Sequence, residues 1–176
     1  MRYVALLRGI NVGGKSKVSM EDLKKIFLSL GFSEIKTLLN SGNVIFSSDK
    51  NEIESKDIIE KALSDHYLKV IPVLVRSIDA IHAFVKKDPF KGIEVTKDTR
   101  LYITFLSEPK KSSFSLPFIS SDKAITILSV SDSEVCTLVT LLPQKSTTDL
   151  MVFLEKEFGK QITTRNWNTV VKIDKS

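Results

Sequence analysis

Apolar positions in the first half of the chain alternate between two periods. Residues 3–7 (YVALL) are apolar without a break, which predicts a strand covered on both faces. Ser19 then stands where a helix cap belongs, with Asp22 three residues on. Leu23, Ile26, Phe27 and Leu30 follow at helical spacing until Gly31. Residues 35–39 and 44–46 read as strands on either side of Asn40-Ser41-Gly42-Asn43, a turn by composition. A second helix is predicted over 51–66, with Ile58, Ala62 and Leu63 on one side, and VIPVLV at 70–75 reads as a buried strand. The order β-α-β-β-α-β is the split βαβ, or ferredoxin-like, motif.

That order has a spatial consequence. Right-handed crossovers make the first two strands parallel, with the third between them and antiparallel. The loop after the first strand and the turn after the second then share one end of the sheet. The start of the first helix points there too, with its orphan N–H groups and positive dipole end.

The second half is less regular. Ser77 starts a short helix carrying Ile78, Ile81, Phe84 and Val85, which Asp88-Pro89 breaks. Residues 101–106 form a strand, and 109–117 are a Lys/Ser-rich connection. A hairpin is expected from 124–130 and 135–142 about Ser131-Asp132-Ser133. Thr148 is expected to cap a helix holding Leu150, Phe153, Leu154 and Phe158 that Gly159 closes. Thr164 is expected to cap a last helix holding Trp167, Val170 and Val171. The expected fold class is therefore α+β. A ferredoxin-like βαββαβ subdomain over 1–76 packs on a second, smaller α+β subdomain over 77–176, the two sharing one compact unit.

Composition narrows the class without naming a function. At 176 residues, 42% hydrophobic and 27% charged, the chain has the make-up of an ordinary soluble domain. Lys and Arg number 26 against 21 Asp and Glu, a net +5 spread over both halves. That balance permits an anionic partner without requiring one. The single cysteine, Cys136, lies in an apolar run and reads as a buried bystander. The first apolar stretch is too short for a signal peptide, and no run is long enough to span a membrane. A reduced, cytoplasmic protein with no membrane partner is the expectation.

The chemistry concentrates in two short turns and one late segment. Residues 9–16, GINVGGKS, match the phosphate-loop pattern G-x-x-x-x-G-K-[ST] and follow a strand. In a phosphate loop the Lys and Ser open the helix at once. Here Lys17, Val18 and the cap Ser19 intervene, and no acidic strand end stands ready for magnesium. A nucleotide hydrolase is therefore disfavoured. A looser anion-binding loop remains, built from Arg8, Gly9, Asn11, Gly13, Gly14 and Lys15. The same residues also read as a plain connection. Ser41, Gly42 and Asn43 supply neutral hydrogen bonds and close backbone approach, or only a hairpin turn. In the segment TTRNWNT, Arg165, Asn166 and Trp167 read either as an anion grip or as a capped helix with Trp167 in the core. His66 and His82 have no companions at ligand spacing, so neither a metal site nor a triad is expected. No cofactor is implied.

At these same segments the chain resembles the bacterial family known as domain of unknown function 1697. The resemblance rests on ALLRGINVGGK near the start, SGNVIF after the first helix, and TTRNWNTV near the end. It spans essentially the whole chain. It implies an α+β structure related to ferredoxin-like folds, with Arg8, Gly9, Asn11, Gly13, Gly14, Lys15, Ser41, Gly42, Asn43, Arg165, Asn166 and Trp167 at the family's signature positions. Members often carry Asn where this chain has Ser16. No activity comes with the family.

The leading expectation is a protein that binds a small, phosphate-bearing anion in a polar cleft. Arg8 and Lys15 would neutralise it, and Arg165 would close the site. A nucleic-acid-binding module and a structural or protein-interaction role are the alternatives. If a reaction follows binding, Lys15 or Ser41 would act in it. No catalytic residue is otherwise assigned.

Overall fold

The computed structural model describes residues 1–11, 18–142 and 147–176, with the backbone alone for 147–149. Among these residues are two antiparallel sheets and five helices. The chain divides into one unit of Met1–Lys86 with Lys172–Ser176 and another of Lys87–Val171.

The first unit holds β1 (Arg2–Leu7), α1 (Met20–Ser29), β2 (Ser33–Leu38), β3 (Asn43–Ser47), α2 (Glu52–Tyr67), β4 (Val73–Ser77) and α3 (Ile78–Lys86). The sheet order is β2-β3-β1-β4. β3 lies between β1 and β2 and is antiparallel to both, so β1 and β2 run the same way. Alternate β1 residues Tyr3, Ala5 and Leu7 join a core with Leu23 and Phe27 of α1 and Ile59 and Leu63 of α2. Phe27, Phe32, Phe46 and Tyr3 meet ring to ring at centroid distances from 4.5 to 5.8 Å. Each fully buried Phe is worth about 1.5–3 kcal/mol relative to exposure. Val4, Leu6 and Ile45, on the opposite face, are buried as well, as the unbroken apolar run predicts.

Local capping sets the helix starts. The Ser19 hydroxyl accepts from the amides of Glu21 and Asp22 at the start of α1. At α2, Asn51 Oδ1 accepts from Glu54 N at 2.9 Å while Glu54 Oε2 accepts from Asn51 N at 3.0 Å, a reciprocal capping box. Two carboxylates of α2 reach the edge strand β4. Glu60 Oε1 accepts from Val73 N at 2.7 Å, and Glu52 Oε1 accepts from Ser77 N at 2.6 Å.

The second unit holds β5 (Thr99–Leu106), β6 (Phe118–Ile119), β7 (Ile125–Val130), β8 (Glu134–Thr140), α4 (Thr147–Phe158), β9 (Ile162–Asn166) and α5 (Trp167–Asp174), the last residues of α5 belonging with the first unit. Its sheet runs β6-β7-β8-β5-β9. One face carries Leu106, Ile127, Val135, Val139 and Ile162, packed on Leu150, Leu154 and Phe158 of α4. No helix among the described residues is long and apolar enough to cross a membrane.

Lys172–Ser176 belong with the first unit. There Arg2 Nη2 donates to Ser176 O at 3.1 Å, and His82 Nδ1 lies 2.8 Å from Asp174 Oδ1. Two sequence expectations need correction. Thr164 caps no helix: residues 162–166 are an edge strand paired to β5, with Thr104 and Thr164 hydroxyls 2.8 Å apart. The β-branched Ile162-Thr163-Thr164 run favours that extended form once β5 offers a partner. Finally, β4 begins at Val73, and Val70 stands 82% exposed ahead of it. Pro72 lacks the N–H that a longer strand would use.

Candidate functional site

Two of the sequence's candidate segments do meet at one end of the first sheet. Leu7 N donates to Gly42 O at 2.8 Å, and Arg8 N donates to Pro72 O at 2.9 Å. Asn11, with φ at +58°, closes the loop on itself: its Oδ1 accepts from Val18 N at 2.7 Å and its Nδ2 donates to Val18 O. The same Nδ2 donates to Asn40 O at 3.1 Å, tying the loop to the turn. Arg8 is half-buried, whereas Gly9 and Ser41 are exposed. Gly13, Gly14 and Lys15, with Ser16, lie outside the described residues.

The turn residues are bound into the architecture. Gly42 has φ +73°, and a Cβ there would stand 2.7 Å from Ile10 Cδ1 and 2.9 Å from Leu7 Cβ. Asn43 is fully buried, and its amide nitrogen donates to Leu38 O at 3.1 Å and Ser41 Oγ at 2.9 Å. A buried amide so used holds a turn in shape. The start of α1 is occupied by its own cap. Ser19 takes two of its amides, and Glu21 and Asp22 place carboxylates in its first turn. Carboxylates there already complement the positive end of the helix.

The late segment divides between a buried arginine and an open cleft. Arg165 lies opposite Ile103 in the β5–β9 register and is 9% exposed. Its Nη1 donates to Thr163 Oγ1 and to Thr164 O, each at 2.9 Å. Burial pulls its pKa down to about 10, so it stays charged at neutral pH. Asn166 Oδ1 accepts from Asn168 N at 3.0 Å and so caps α5. Trp167 meets Phe90 edge-on, at a centroid distance of 5.3 Å and an angle of 68°.

Asn166 and Trp167 line a cleft of about 470 Å³ within the second unit, together with Asp88, Phe90, Arg100 and Asn168. Arg100 was not a sequence candidate. Its Nη1 donates at 2.8 Å to Lys97 O and at 2.8 Å to Thr99 O, which holds the guanidinium in place. No carboxylate among the described residues lies within ion-pair distance of it. The segment below it is a tight turn, with Thr99 N donating to Thr96 O and the two threonine hydroxyls 3.0 Å apart. Chemically, the cleft offers a fixed cation, two amide side chains, one carboxylate and an aromatic wall. The nearest sequence signal was the Asp88-Pro89 break, which marks an irregular segment but no chemistry.

The histidines contribute elsewhere: His66 packs edge-on against Tyr67, and His82 pairs with Asp174. Among the described residues no three His, Cys, Asp or Glu side chains are placed to hold a metal ion.

Comparison with known proteins agrees with this architecture and leaves the chemistry open. A conserved bacterial protein from Streptococcus pneumoniae has a similar solved structure, with a TM-score of 0.72 at 22% identity, covering 99% of this chain and 97% of that one. At that identity the likeness speaks for the fold. No curated protein matches the sequence. The family model described as "Protein of unknown function (DUF1697)" matches residues 1–135. That span exceeds half the chain and includes the loop and turn whose hydrogen bonds close the first sheet's end, so the chain belongs to the DUF1697 family of proteins of unknown function.

Proposed function

We propose that this protein binds a small, phosphate-bearing anion, and that the cleft of the second unit is its seat. One observation carries the reading: Arg100 is clamped by two carbonyls, faces a cleft of about 470 Å³, and has no carboxylate partner among the described residues. A held guanidinium loses little entropy on meeting an oxyanion and can donate two parallel hydrogen bonds. Asn166 and Asn168 add neutral donors, and the cleft falls within the size range of small-molecule sites. Arg165, buried and bonded to Thr163 and Thr164, serves in this reading as a support for β9 rather than as a grip.

Arg8, next after β1, with Lys15 further along the sequence, is the alternative seat for the same anion. The first unit is read as ferredoxin-like, supported by the β2-β3-β1-β4 order and its antiparallel pairs. A cytoplasmic setting fits the buried Cys136 thiol.

Thermal shifts on wild type, Arg100→Ala and Lys15→Ala test the proposal with inorganic phosphate, sugar phosphates and nucleotides. Ligand at a hundredfold its Kd stabilises by about 2.7 kcal/mol, or about 5–10 °C for a chain this size. Loss of the shift in Arg100→Ala alone supports the cleft, and loss in Lys15→Ala alone moves the site to the first loop.

A structural reading has its own observation, since Asn11, Gly42 and Asn43 are all engaged in holding turns. No shift with any ligand would favour it. Nucleic acid remains the other alternative, and it requires binding that falls steeply with salt and grows with oligonucleotide length.

A further inference from the structure

We propose that the anion bound in this cleft is carried on a hydroxyl-bearing ring, making the ligand class a sugar phosphate, either free or within a nucleotide. The inference rests on the preceding reading that the cleft binds an anion. It comes from what else the cleft contains.

A bare oxyanion would answer Arg100 and the carboxamide donors but not Asp88. Asp88, which also lines the cleft, is an exposed carboxylate and accepts hydrogen bonds without donating any. It repels an anion and welcomes a hydroxyl. A ligand that carries its charge at one end and O–H donors at the other satisfies both groups. Sugar phosphates have that layout, with an oxyanion at one end and hydroxyls at the other.

The remaining lining fits the same ligand. Asn168 is exposed and offers both a donor and an acceptor, the complement of a hydroxyl that also does both. Asn166 uses its oxygen on Asn168 N, so the carboxamide orientation is set and its nitrogen is a donor. Trp167 is half-buried and lines the cleft, with Phe90 edge-on to it at 68°. A sugar ring packs its C–H face on an indole, and a nucleobase stacks there equally well. The cleft, at about 470 Å³, has room for a body of that size besides the anion.

The chain has one tryptophan, so its emission reports this cleft directly. Trp167 fluorescence, checked by calorimetry, would be titrated with inorganic phosphate, ribose, ribose 5-phosphate and adenosine monophosphate. Wild type, Asp88→Asn and Arg100→Ala would be compared. Asp88 is exposed at φ +47°, a conformation asparagine tolerates, so Asp88→Asn keeps the fold.

Ribose 5-phosphate should bind about tenfold or more tightly than inorganic phosphate, the worth of one hydrogen bond to a charged group. Asp88→Asn should erase most of that preference and leave inorganic phosphate bound at least as well. Adenosine monophosphate binding no tighter than ribose 5-phosphate assigns the free sugar phosphate, and a further large gain assigns the nucleotide. Equal affinity for inorganic phosphate and ribose 5-phosphate in wild type overturns the ring and leaves the anion reading standing. Absence of any response that depends on Arg100 overturns both.

Discussion

Replacing Gly42 by alanine separates two explanations for this glycine, close approach to a ligand and close packing of the protein against itself. Gly42 sits at φ +73°, where an L-residue costs about 1–2 kcal/mol. Loss of glycine's freedom in the unfolded chain returns about 0.4–1 kcal/mol. Those two terms apply equally to Gly9, at φ +66°, where a new Cβ would meet nothing within 4 Å. Gly9→Ala should therefore cost about 1 kcal/mol or less. At Gly42 the Cβ would lie 2.9 Å from Leu7 Cβ, an atom fixed to the β1 backbone, and 2.7 Å from Ile10 Cδ1. Overpacking of that kind adds about 1–3 kcal/mol, so Gly42→Ala should cost about 2–4 kcal/mol in all. Urea unfolding of the two variants beside wild type reads the difference, and melting should fall by about 4–16 °C for Gly42→Ala. If the two alanine variants lie within about 0.5 kcal/mol of each other, the steric argument is wrong. A stable Gly42→Ala protein that has lost ligand response would return the glycine to a binding role.

Other substitutions test the same framework. Asn43→Asp would put a carboxylate against Leu38 O and Ser41 Oγ in a fully buried position. The cost should be about 3 kcal/mol or more at neutral pH. Burial raises the pKa of the introduced group, so this variant should regain stability as pH falls, the reverse of a paired carboxylate. Arg165→Met should stay within about 2 kcal/mol of wild type, since replacing a buried charge by an apolar side chain of similar length is often near neutral. Because burial depresses the Arg165 pKa to about 10, the folded protein holds fewer protons than the unfolded chain above that pH. The desolvation penalty is then constant at neutral pH, and wild type gains on Arg165→Met only as pH rises through about 10. An unchanged Trp167 response to phosphate in Arg165→Met supports a structural role, and a lost one restores the grip. Burial pushes the Cys136 thiol up, with Glu134 acting in the same direction and a Ser129 hydrogen bond opposing. A thiol reagent should therefore label native protein only as fast as it unfolds.

The first unit was readable because its signals are local. Ser19 caps where its spacing says, α2 begins beside Asn51, and alternate β1 residues pack on both helices. The second unit depends on pairing between distant residues. The segment TTRN forms β9 only because β5 lies alongside, sixty residues earlier, and β6 is two residues held by Ile127 and Thr126. The candidate cleft was half legible for the same reason. Asn166 and Trp167 stand out by residue type, and both line the cleft. Arg100 and Asp88 belong to no motif, and they matter only because the second unit's fold brings the segments before and within β5 beside the start of α5. The burial of Arg165 was not legible, because composition does not reveal which face of a strand a side chain takes.

The two α2 carboxylates that end on β4 bear on how this chain behaves among its own copies. An exposed strand edge is a template for another strand, and a file of open amides invites pairing from any neighbour. Here two amides of that edge, Val73 N and Ser77 N, are already satisfied by Glu60 and Glu52. The match is geometric: eight residues of helix rise about 12 Å, and four residues of strand span about 13 Å. A single helix can thus bolt both positions with side chains eight apart. Each guard is itself paired, Glu60 Oε2 with Lys56 Nζ at 3.2 Å and Glu52 Oε2 with Arg76 Nη1 at 3.7 Å, so both side chains are held over the edge. A strand added to that edge would first have to displace both carboxylates.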